Sequence, residues 1–217
     1  MGRPALQAEA ISDFRDRLCD AALELFAERG YAGFTLRALG TALGCSPTTP
    51  YTYFESKGDI YQAVCARAFE DLCGFQDEAW RSGGSPWERI RRQGRSYVAF
   101  TRANAHAYRV MFDLRDREAT GELSRTDVYV APVRRSWALL LGAFEHAQRA
   151  DELDGDPARL AFEFWASIHG VMSLELQGHL FVDVPGDQLV EDIFERFERA
   201  YRPGSATTPS LSTGDPE

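Results

Sequence analysis

The stretch Thr35–Lys57, TLRALGTALGCSPTTPYTYFESK, constrains this chain more than any other part of it. It reads as two short helices joined by a glycine turn. Thr35 is an N-cap for an apolar run in which Leu36, Leu39 and Leu43 recur at helical spacing. Gly44 supplies the left-handed residue that ends this helix. Ser46-Pro47 is then predicted to open a second one, with an N-cap and a proline in the first turn. Two such helices make a helix-turn-helix, whose second helix enters the major groove of DNA. Here that helix would carry Thr48, Thr49, Tyr51, Thr52 and Tyr53, hydrogen-bonding side chains where a structural helix carries an apolar stripe. Pro50 lacks an N–H and pushes Thr49 away from helical angles, so the first turn is expected to be tight or irregular.

Lys57 follows this segment at the predicted start of the next helix. It is one lysine against 23 arginines, and an ammonium there can sit beside a DNA phosphate. The overall charge of −9 points the other way, and residues 1–60 carry six basic against eight acidic side chains. A broad basic patch is therefore absent, and contacts to DNA must come from local placement of Arg3, Arg37, Lys57 and helix N-termini.

These residues carry a resemblance. Ala21-Ala22…Leu25-Phe26…Gly30-Tyr31, then Thr35…Leu39…Gly44-Cys45-Ser46, then Tyr51…Phe54…Ser56-Lys57 and Ile60 resemble, across residues 14–64, the DNA-binding domain of the TetR family of bacterial transcriptional regulators. The resemblance implies phosphate contacts from Tyr51, Lys57 and the Thr35 region. It implies base-edge or groove contacts from Arg37, Thr48, Thr49 and Tyr53, and Arg3 is expected to reach a minor groove from a flexible arm.

Helical periodicity continues almost throughout, with no convincing alternating strand. Phe14, Leu18, Ala21, Ala22, Leu25 and Phe26 form one face of a first helix that Gly30 ends. Ile60, Val64, Ala68 and Leu72 form the face of a long helix that breaks at Ser82-Gly83-Gly84-Ser85-Pro86. The expected fold is all-α: a three-helix helix-turn-helix domain over 1–56, a helical effector-binding and dimerisation domain over 57–202, and a disordered tail over 203–217 rich in Pro, Gly, Ser and Thr.

Large aromatics crowd the second domain. Tyr97, Phe100, Tyr108, Met111, Phe112, Trp137, Phe144, Trp165 and His169 are either an ordinary helical core or the wall of an apolar cavity, with His169 and Tyr97 or Tyr108 as polar anchors. Trp165…His169-Gly170 resembles a recurrent effector-domain signature of the same family and favours the cavity. Near the end, Ile168, Met172 and Leu176, and Ile193, Phe194 and Phe197, lie on two apolar helix faces. In the family such helices pair between subunits, so these six are expected at a homodimer interface that reads a palindromic operator.

Composition narrows the rest. No run of eighteen apolar residues exists, and MGRPALQAEA lacks the apolar core of a signal peptide, so a cytoplasmic protein without a membrane partner is expected. Cys19, Cys45, Cys65 and Cys73 form no CxxC pair, the histidines form no metal-spaced pair, and no cofactor motif is present. Neither metal nor cofactor is expected. The functional reading is a regulator, a repressor, that binds double-stranded operator DNA until a small apolar or aromatic effector releases it. Its rivals are a small helical enzyme or binding protein for an apolar molecule, and a protein-interaction module favoured by the acidic charge.

Overall fold

The computed structural model describes residues 3–112 and 127–204; among these, every regular element is a helix. They are α1 (Arg3–Gly33), α2 (Leu36–Leu43), a 3-10 turn (Thr49–Thr52), α3 (Lys57–Arg81), α4 (Pro86–Ala103), α5 (Ala105–Phe112), α6 (Asp127–Arg149), α7 (Pro157–Leu176) and α8 (Gly186–Tyr201). The chain divides into two compact units, Met1–Glu78 with Ala99–Ala138, and Ala79–Val98 with Leu139–Glu217. The tail predicted to be disordered lies outside the described residues from 205 onward.

In the first unit, Leu18, Ala22, Leu25 and Phe26 of α1 form a buried stripe, and Gly30 breaks the helix at φ 69° and ψ 174°. The break turns the chain so that Phe34 stacks on Phe26 at 4.1 Å and α2 follows. Leu39, Phe54, Ile60, Val64 and Cys65 complete this core. Val110 of α5 belongs to it as well, although it lies far beyond residue 56. Further along, Gln76 and Ser136 satisfy each other while buried: Gln76 Nε2 donates to the Ser136 carbonyl at 3.2 Å, and Ser136 Oγ to Gln76 Oε1 at 2.8 Å.

The second unit is built around Phe164, which meets Phe144 edge-on at 5.4 Å, Phe194 face to face at 5.4 Å and Phe197 edge-on at 5.3 Å. Gly94 makes this possible, since a Cβ there would stand 2.6 Å from the Phe194 ring. Arg95 clamps α8 to α4 through two bonds to Glu191, at 2.8 and 2.7 Å, and Arg91 reaches Glu198 at 2.6 Å. The Arg95 guanidinium holds the Glu191 carboxyl below the usual carboxylate range.

This packing corrects part of the interface predicted from sequence. Phe194 and Ile168 are 1% exposed and Met172 is fully buried, all within their own chain. Nothing of these side chains remains for a second subunit. The amphipathic face of α8 meets α4 and α7 of its own chain, a choice that periodicity alone does not make. Leu176, Ile193 and Phe197 are half-buried.

Candidate nucleic-acid interface

Two caps frame the helix-turn-helix. The Thr35 hydroxyl accepts from the Ala38 N–H at 3.2 Å, a cap worth about 1 kcal/mol. At the other end, Gly44 takes φ 65° and closes α2 through its own N–H. The predicted second helix is reduced to the 3-10 turn Thr49–Thr52, and the expected Ser46 cap is replaced by a different arrangement. Ser46 Oγ lies 2.8 Å from Thr48 Oγ1 and accepts from the Thr48 N–H at 3.3 Å, while Thr48, without a side-chain cap bond, starts the turn. The prolines explain the change. Pro50 has no N–H to offer the Ser46 carbonyl, so Thr49 N donates there at 3.0 Å, and Tyr51 N and Tyr53 N likewise bond three residues back.

Gly40 fixes where this turn sits. A Cβ on it would stand 3.0 Å from the Cys45 carbonyl oxygen and 3.1 Å from Pro47 Cα and N. A glycine lets the backbone after α2 fold this close onto the helix without crowding, where any side chain would press on Cys45 and Pro47. A glycine inside a predicted helix was the available sequence signal for this contact.

The outward side chains of the segment are polar. Thr35, Arg37, Thr48 and Thr52 are exposed, and Tyr51 is 55% exposed. Thr49 is half-buried, and Tyr53 packs its ring 4.8 Å from Phe14. Arg3, expected on a flexible arm, begins α1 with helical backbone; its side chain lies outside the described residues.

Lys57 begins α3, whose first turn is capped by Ser56: the Asp59 N–H donates to Ser56 Oγ at 3.1 Å. An ammonium at a helix N-terminus faces the positive end of the helix dipole. The ring faces of Tyr31 at 4.4 Å and Phe34 at 5.7 Å offset this by roughly 0.5–1 kcal/mol for an exposed cation–π contact. The half-buried Lys57 side chain is thus held over an aromatic cluster. Tyr31, whose ring it stands over, follows Gly30 in the motif read from the sequence, whereas Tyr61 has no distinguishing sequence signal. Burial pushes the Cys65 thiol, one turn from Tyr61, up to about 12, which makes it a poor redox sensor.

The residues predicted for the effector cavity fall into both units. In the first, Phe100 is buried against Phe75 at 5.9 Å, and Phe112 meets Tyr108 at 5.1 Å and Phe69 at 6.1 Å; Met111 and Trp137 are half-buried. In the second, Phe144 is fully buried against Phe164. There Tyr97, Trp165 and His169 come together. The Tyr97 hydroxyl lies 2.8 Å from His169 Nδ1, and the Trp165 and His169 rings are 5.1 Å apart. Burial holds His169 below the ordinary value of 6.5, so the imidazole is neutral at pH 7. A separate cleft of about 580 Å³ in the first unit is lined by Glu70, Asp71, Gly74, Phe75, Glu78, Ala103 and Asn104, none of them among the predicted cavity residues.

A helical head presenting a polar turn between α2 and α3, with no strand among the described residues, defines an all-α helix-turn-helix protein. The model of bacterial regulatory proteins of the tetR family matches residues 18–64, and that of the Tetracyclin repressor-like C-terminal domain matches 90–201. The chain belongs to the TetR family. The family is one of transcriptional regulators, not of enzymes, which removes the reading as a small helical enzyme.

Over 85 residues the chain is 32% identical to the HTH-type transcriptional repressor KstR of Mycolicibacterium smegmatis, covering 39% of this chain and 42% of that one. Over 99 residues it is 28% identical to the transcriptional activator FasR of the same organism, covering 46% and 45%. The chain thus spans less than half the length of these curated relatives. A Rhodococcus structure of unknown function shares the fold, with TM-score 0.73 and 23% identity over 86% of this chain and 94% of that one. No described helix is long and apolar enough to cross a membrane.

Proposed function

We propose that this chain is a homodimeric repressor that grips a palindromic operator and is released by a small apolar or aromatic molecule. The observation that carries the reading is the exposed polar turn around Thr48, Tyr51 and Thr52, set against α2 by Gly40 and followed by Lys57 at the start of α3. Tyr51, Lys57 and Thr35 are assigned to phosphates, and Arg37, Thr48, Thr49 and Tyr53 to the groove. The functional division falls at residue 57, with α3 leaving the DNA-reading part. The likeness to KstR supports repression; the likeness to FasR makes activation the rival, and a reporter fused to the bound promoter separates the two.

The test of DNA binding starts from a duplex enriched from a random-sequence library by the purified protein. Lys57→Ala should weaken binding to the enriched and to unrelated duplexes alike, and should make the salt slope shallower by about one ion, because one phosphate contact is lost. Failure to enrich any sequence would remove the reading altogether. An unchanged slope would remove Lys57 from the contacts.

For the dimer, the outer face of α7 replaces the buried residues. Phe162, Ala166, Gly170 and Leu174 recur every fourth residue; Phe162 is 56% and Leu174 46% exposed, and a Cβ on Gly170 would meet nothing within 4 Å. A second copy packing here would bury a stripe whose small residues allow close approach.

For the effector, Tyr97, Trp165 and His169 are the polar anchor of the site, and the neighbouring aromatics supply apolar contact. His169→Phe should keep operator affinity while abolishing release by whatever small molecule co-purifies and is identified by mass spectrometry. Because the folded state disfavours protonated His169, the unfolded chain binds the proton more readily. This component of stability is present above pH 6.5 and is lost as pH falls from there towards the lowered folded value. The variant should lack that component in thermal melts taken across this range. A lowered melting temperature at pH 8 with normal release would instead make His169 a core bridge.

A further inference from the structure

Lys57 is connected, contact by contact, to a backbone carbonyl on α5. Its ammonium stands over the Tyr31 ring at 4.4 Å. Tyr31 meets Tyr61 edge-on, with centroids 5.2 Å apart and planes at 82°. Phe26 holds both, stacked parallel to Tyr31 at 6.0 Å and perpendicular to Tyr61 at 5.1 Å. The Tyr61 hydroxyl then donates to the Val110 carbonyl at 2.8 Å, and the Cys65 thiol approaches the same oxygen at 3.9 Å. Val110 lies in the last turn of α5, where helix carbonyls run out of in-helix donors and take side-chain ones instead. Its own side chain is buried in the helix-turn-helix core, so α5 is held at that point on both side chain and backbone.

We infer that Tyr31 and Tyr61 are positioning residues for Lys57, and that the Val110 carbonyl on α5 sets where the lysine's ammonium stands. The physical reason is geometric. Perpendicular aromatic pairs have a preferred arrangement, so the bond that fixes the Tyr61 hydroxyl also fixes the tilt of the Tyr31 face. A cation over that face follows it. Tyr108 and Phe112 share α5 with Val110 and belong to the predicted effector residues, so a ligand that displaces α5 acts on the phosphate-contacting lysine by this route. The inference rests on the proposed phosphate role of Lys57 for its effect on DNA, but not for the positioning itself.

The single lysine of the chain makes the positioning measurable without DNA. Reductive methylation with 13C-formaldehyde labels Lys57 and the N-terminal amine, keeps the charge, and gives two resonances told apart by their titration. In the wild type the Lys57 methyl signal should be displaced by the ring currents. Tyr61→Phe, which removes only a hydroxyl, should move it, and Tyr31→Leu, which removes the nearer ring face and leaves Phe34 at 5.7 Å, should move it further towards the position of a free lysine.

On the enriched duplex, Tyr61→Phe should weaken binding roughly threefold to tenfold, the factor that one net hydrogen bond represents. In a Lys57→Ala background it should weaken binding no further, since a residue acting through Lys57 has nothing left to act on. A Lys57 signal that neither variant moves would overturn the inference, as would equal losses in both backgrounds, which mark Tyr61 as merely structural. If both variants move the signal while Lys57→Ala leaves affinity and salt slope intact, the positioning stands and the phosphate assignment fails.

Discussion

Phe194→Glu should leave the chain unable to fold. Phe194 is 1% exposed, stacked on Phe164 and pressed against Gly94, so the substitution removes an aromatic worth about 3–5 kcal/mol and buries a carboxyl among rings. The carboxyl can stay neutral only at a further cost in pKa shift. Together these losses reach the order of the whole stability of a domain, about 5–15 kcal/mol. Far-ultraviolet circular dichroism should show lost helix and an absent cooperative melt, with aggregation in light scattering. A variant that keeps native helix content and becomes a folded monomer would return Phe194 to a subunit interface and overturn the packing described for α8.

Gly170→Arg tests the opposite kind of site. The space above Gly170 is open within its own chain, so an arginine there should leave helix content and melting of the single chain unchanged. Against a second copy of α7 it would place a long charged side chain where two helices must approach closely. Light scattering should report a monomer, and affinity for a two-half-site duplex should fall by roughly a hundredfold or more, because simultaneous engagement is lost. A dimer of normal operator affinity would move the interface away from the Phe162–Leu174 stripe.

The contrast between Phe194 and Gly170 shows where the sequence stops being legible. Both lie on helices whose apolar periodicity is visible in the sequence. The Asp156 side chain accepts from the Arg159 N–H to start α7, and a proline follows at its first turn. The apolar face of α8 is plain in the sequence, but apolar attraction is non-directional and does not name the body it meets. Gly94, Arg91 and Arg95, on a helix some hundred residues earlier by the chain's own numbering, decide that it meets its own α4.

The DNA-reading segment divides in the same way. Thr35 and Gly44 are caps whose partners lie within four or five residues, and the awkwardness of Pro50 is a property of its own ring, so the end of α2 and the tight turn after it were readable. That the turn would never grow into a helix depended on two prolines and a Ser46–Thr48 hydrogen bond acting together. Lys57 was recognisable as a lone cation at a helix start, yet its resting place over Tyr31 comes from the kink at Gly30 bringing distant residues together.

By itself the sequence determined most of the helices, the two caps of α2 and the polar character of the turn, because these depend on neighbours along the chain. Tertiary structure alone decided that Phe194 is core, that the outer face of α7 is open, and that Val110 completes the head. Each of these depends on which surfaces meet, and burial rewards any apolar partner that fits.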